Sequence, residues 1–141
     1  MKILLVGLSL GLSCVSGVAS AACGGANNPA LTQNALRTLL QGQTLCAKSG
    51  SDRWQEEHLG GPNSGALWDY KLGPNHTVDP REQVGSWSIS GGSSGQLTHT
   101  YTGGGSYTYQ VYDNLNGSYD LCGSVTITNA TVRAAPPCPA N

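Results

Sequence analysis

The chain has 141 residues, with eight acidic and seven basic side chains, twenty glycines and no phenylalanine. That length suits one domain with a real but modest core. The near-neutral, unclustered charge disfavours nucleic acid and anionic membrane as partners, because both are held through basic patches.

Residues 1–21 read as a signal peptide: Lys2 supplies a positive start, 3–12 an apolar stretch, and Ala19-Ser20-Ala21 a small-residue cleavage site. Cleavage after Ala21 leaves 22–141 as a single secreted β domain without an integral membrane segment. The expected location is secreted, periplasmic or cell envelope. An uncleaved anchor over 3–22 has the length to span a bilayer, but Gly7, Ser9, Gly11, Ser13, Ser16, Gly17 and Ser20 dilute it and no basic cluster follows. Lipidation at Cys14 or Cys23 would want leucine three residues earlier, where Gly11 and Ser20 stand.

Cys23, Cys46, Cys122 and Cys138 remain after cleavage. In an exported chain of this size they read as two disulfides; no CxxC or Cys/His spacing marks a metal site, and no cofactor is implied.

One short N-terminal helix is signalled by Asn28 as cap, Pro29 in the first turn, Leu31, Ala35 and Leu39 on one face, and Gly42 as stop. Alternating runs then predict seven or eight strands, at 43–47, 53–59, 66–72, 85–90, 96–102, 106–112, 118–122 and 125–132. Residues 73–84, with two prolines and mixed charge, read as a long surface loop or lid. The fold class is mainly β: an antiparallel meander forming a small barrel or a two-layer sheet.

Hairpin parity assigns faces. A three-residue loop at Gly103, Gly104 and Gly105 pairs Tyr101 with Tyr107, His99 with Tyr109 and Leu97 with Val111. An odd-length turn around Asn114 to Asn116 adds Tyr119 and Leu121 to the same face. A five-residue loop over 60–64 pairs Glu56 with Trp68 and Trp54 with Tyr70, bringing His58 to the aromatic side as well. Leu45 and Leu121 point inward, so Cys46 and Cys122 stand on outer faces. The expected bridges are Cys46–Cys122 and Cys23–Cys138, against the more local alternative of Cys23–Cys46 with Cys122–Cys138.

Gly85-Ser86-Trp87 resembles the G-x-W of the calycin barrels, the lipocalins and avidins, and Gly95-Gln96-Leu97-Thr98-His99-Thr100-Tyr101 is similar to the avidin-type strand after it. The resemblance implies a barrel with a ligand-holding mouth. It carries over no binding residue and does not imply biotin. In those families G-x-W opens the barrel, whereas here several strands precede it.

Glu56, Glu57 and His58 form the one compact acid/base cluster. Joined by His99 from the opposite wall, it could bind a metal or act as a general base; at a barrel rim Glu57 would be solvated while Glu56 and His58 simply hydrogen-bond the Trp and Tyr handles. Asp69, Asp79 and Glu82 read as surface charge, and no G-x-S-x-G surrounds a serine. The residues pointing to a site are Trp54, Glu56, His58, Trp68, Tyr70, His99, Tyr101, Tyr107 and Tyr109, a wall with more polar tips than a dry core would satisfy. The leading expectation is a non-catalytic module for a small polar-aromatic or sugar-like ligand, or a protein partner. A structural or inhibitory envelope protein is the alternative, and a metal-dependent or hydrolytic enzyme comes last. An open cavity would favour the first, a filled interior the second, and convergence of Glu56, His58 and His99 the third.

Overall fold

A computed structural model describes residues 23–25, 28–70 and 81–139. The expected leader and residues 73–80 of the expected loop lie outside the described residues. Eight strands run in sequence order around a closed antiparallel barrel: β1 (Thr44–Ser49), β2 (Asp52–Gly60), β3 (Ser64–Tyr70), β4 (Arg81–Ser90), β5 (Gln96–Tyr101), β6 (Ser106–Asp113), β7 (Tyr119–Gly123) and β8 (Thr126–Arg133). β1 returns to β8 through Thr44↔Arg133, Leu45↔Val132 and Cys46↔Thr131. Among the described residues that closure leaves no sheet edge unpaired, and it decides for the barrel over the two-layer sheet. β4 starts earlier than its pattern suggests. Arg81, Glu82 and Gln83 pair with Tyr70, Asp69 and Trp68, so 81–84 are strand rather than loop.

The helix α1 (Gln33–Leu40) also departs from its sequence signals. Its N-cap is Thr32, whose Oγ1 accepts the Ala35 N–H at 3.2 Å, while Asn28 closes a small bridge to Gly25. Leu31 is already tied to the barrel, donating to the Val111 carbonyl and accepting from Gly95, which delays helix entry. Leu36 and Leu40, both fully buried, plug the barrel end; Leu31 and Leu39 pack beside them. Beneath the plug lie Leu67, Trp87, Ile89, Leu97, Val111 and Ala130. Trp87, of the G-x-W, is 1% exposed and donates its indole N–H to the Leu59 carbonyl at 3.1 Å. Gly85 of the same motif permits a close strand approach, for a Cβ there would lie 2.0 Å from the Thr100 carbonyl oxygen.

The disulfides are Cys23–Cys122 and Cys46–Cys138, with Cα separations of 5.5 and 5.7 Å. This corrects both expected pairings. Cys46 on β1 and Cys122 on β7 have β8 between them. Two interstrand spacings come to about 9–10 Å, beyond the roughly 7 Å that a disulfide tolerates. Each strand cysteine therefore takes a partner from a tail. Because Cys23 is bridged, its sulfur is not available for a lipid thioether. Two bridges fit an oxidising extracellular environment, and among the described residues no helix is long and apolar enough to cross a membrane. Non-reducing peptide mapping should recover a Cys23–Cys122 and a Cys46–Cys138 peptide; a Cys46–Cys122 peptide would contradict the strand order.

Candidate ligand-binding site

With α1 closing one end, the turns β1/β2, β5/β6 and β7/β8 gather at the other. There the barrel opens into a cavity of about 430 Å³, within the size range of small-molecule sites. Its wall carries Trp54, Tyr101, Tyr107 and Tyr109, and its floor Glu56 and His99. Leu45, Leu121 and Ile127 fill in the aliphatic side, with Ser49 and Val125 at the rim.

The β5/β6 hairpin brings three of the four rings. Its observed register, Leu97↔Tyr109 and His99↔Tyr107, is two residues away from the expected one. An even slip conserves faces, so Leu97, His99, Tyr101, Tyr107, Tyr109 and Val111 all turn inward. Thr98, Thr100, Thr108 and Ser106 stay outside, where Thr98–Thr108 and Thr100–Ser106 hydroxyls bond at 2.9 and 2.8 Å.

The β2/β3 hairpin slips by one residue, with the opposite result. Gly61 N–H bonds the Ser64 carbonyl, Gly60 pairs with Gly65, and Glu56 then faces Asp69 while Trp68 faces Glu57. Trp54, Glu56 and His58 are inside. Trp68 and Tyr70 are not: they lie on the outer face and leave the candidate site. The Arg81 guanidinium sits 4.9 Å from the Trp68 ring centre and 3.2 Å from the Glu57 carboxylate. Glu57, expected to be solvated, is instead largely buried beneath that pair.

Glu56, His58 and His99 do converge. Glu56 Oε1 accepts the Tyr101 hydroxyl at 2.6 Å, its Oε2 stands 3.2 Å from His99 Nδ1, and His99 Nε2 is 2.9 Å from His58 Nε2. Burial pushes the His58 imidazole down to about 3, helped by its proximity to His99, so this ring is neutral. His58 Nδ1 meets no hydrogen-bond partner, which a lone pair tolerates and a buried N–H does not. One proton therefore lies between His58 Nε2 and His99 Nε2, while His99 Nδ1 faces the Glu56 carboxylate. Burial and the Glu56 charge, with the hydrogen bond to Glu56, hold the Tyr101 phenol far above its ordinary value; burial and Glu56 raise Tyr109 to about 12.

This geometry bears on the acid/base reading. Both nitrogens of His99 are engaged, and His58 lies behind the floor rather than on the cavity wall. At 2.9 Å the two imidazoles share a proton and leave no room for an ion between them. Among the described residues, no group of three His, Cys, Asp or Glu side chains is placed to hold a metal.

Sequence reasoning passed over the strand β1 contribution, Leu45, Ala47 and Ser49, although their period-two spacing continues the inward Leu45. Val125 and Ile127, two residues apart at the start of the predicted run 125–132, also line the cavity and were likewise not singled out. In comparisons with protein-family models, curated proteins and solved structures, nothing matches this chain.

Proposed function

We propose that this is an exported binding module that takes a small ligand with an apolar or aromatic body and a polar tip in the open end of its barrel, in the manner of a calycin-like fold. The observation that carries the reading is the 430 Å³ cavity in which four aromatic rings surround a single carboxylate–imidazole floor. Stacking on Trp54, Tyr101, Tyr107 and Tyr109 supplies affinity. Glu56 supplies orientation, since Tyr101 and His99 lock its rotamer before a ligand arrives. The same arrangement argues against general-base chemistry, because both ring nitrogens of His99 are engaged, one by Glu56 and one by His58.

Trp54 is the natural reporter. It lines the cavity, whereas Trp87 is sealed under α1 and Trp68 is on the outer face. A metabolite and glycan screen read by tryptophan fluorescence should find compounds whose signal disappears in Trp54→Leu and persists in Trp68→Leu. Trp54→Leu should weaken binding about tenfold or more, the worth of one good aromatic contact, while retaining a cooperative melt. If no compound perturbs the parent protein, the structural reading replaces this one.

A further inference from the structure

Resting on the binding reading above, the charge pattern of the cavity narrows the ligand class. Glu56 is 3% exposed yet contributes to the cavity floor. Its Oε1 accepts from Tyr101 and its Oε2 stands 3.2 Å from His99 Nδ1, so each oxygen has one internal partner and retains a lone pair. The internal partners position the carboxylate. Among the described residues that line the cavity there is no lysine or arginine. The raised Tyr101 and Tyr109 phenols stay protonated and add no charge of their own.

An anionic ligand would therefore meet a like charge with no lysine or arginine beside it among the described lining residues. A carbohydrate would find few side-chain partners besides Glu56, the phenols and Ser49. A cation meets both things it is attracted to: a fixed negative charge in a water-poor setting, and aromatic rings whose faces carry negative quadrupole. We infer that the ligand of this mouth is a small organic ammonium ion, its charged end directed at Glu56 and its apolar body held among Trp54, Tyr101, Tyr107 and Tyr109. The cavity volume admits an arylalkyl or quaternary ammonium and excludes a folded partner domain.

The test pairs each cation with an uncharged compound of the same shape. Phenethylammonium against 2-phenylethanol, and choline against 3,3-dimethyl-1-butanol, are titrated into the disulfide-intact protein at constant ionic strength and neutral pH, with Trp54 fluorescence and calorimetry as readouts. Each ammonium should bind about tenfold or more tightly than its neutral counterpart. Glu56→Gln should abolish that preference. Should Glu56→Gln fail to fold, Tyr107→Leu, at a half-buried ring of the mouth, serves in its place and should reduce the preference for the cation. Equal or tighter binding of the neutral compounds, or binding found only among other classes in the wider screen, overturns the cation assignment and leaves the binding reading standing. Silence from both pairs and from the wider screen removes the binding reading and this inference together.

Discussion

Trp87→Ala should destabilise the barrel by about 3 to 5 kcal/mol, the usual cost of truncating a large buried aromatic. The indole is 1% exposed, packs under the Leu36 and Leu40 plug, meets the His58 ring edge to face at 5.4 Å, and donates to the Leu59 carbonyl. Alanine would leave a cavity in the layer that α1 closes and remove the side-chain donor to the Leu59 carbonyl. Denaturant titration would measure the loss, and a shift under 1 kcal/mol would mean that the plug collapses onto the vacated space. Parallel titration of Trp54→Ala should give a much smaller loss, because that ring borders open volume. The contrast matters for function: a tryptophan read as ligand contact must be separable from one that holds the fold. Trp68, which the sequence pattern placed inside, should behave as a surface residue whose chief loss is the Arg81 contact.

The protein should lose stability in acid through His58, and the sign follows from linkage. Its folded-state value lies near 3, below the ordinary 6.5 expected when unfolded, because burial opposes the charged ring. Between those limits the unfolded chain binds more protons, so stability is fully present above about pH 6.5 and falls as pH drops toward 3. The loss between pH 7 and pH 4 from this one group should reach roughly 3 kcal/mol. His58→Gln can keep a hydrogen bond toward His99 but cannot titrate, so its stability profile should be flatter than the parent's by about that amount. Parallel profiles for the two proteins would show that His58 accepts its proton without unfolding. Because His58 lies behind Glu56 and His99, acid should also disturb the cavity floor before the outer wall.

The strands were legible in the sequence because each buries one face, and period-two alternation records that directly. The Leu97, His99 and Tyr101 face survived a misjudged loop, since the error was two residues and the pleat repeats every two. Trp68 and Tyr70 were misplaced for the same physical reason acting the other way. A single residue of loop length around Gly61 to Ser64 turned both rings out of the barrel. The helix cap was misread because Asn28 and Pro29 carry a valid local signal that two backbone bonds from Leu31 to the barrel override.

By itself, then, the sequence determined a mostly β domain, its strand positions, the inward set on β5 and β6, and two disulfides among four cysteines. Those are consequences of local alternation and composition, which every short window of the chain carries. Tertiary structure alone decided the β2/β3 register, the disulfide partners and the meeting of Glu56, His99 and His58. Each depends on closure of the barrel, which inserts β8 between Cys46 and Cys122 and brings β2 and β5 across the interior from one another. No window of the sequence contains that distance, because it is set by how many strands complete the circle.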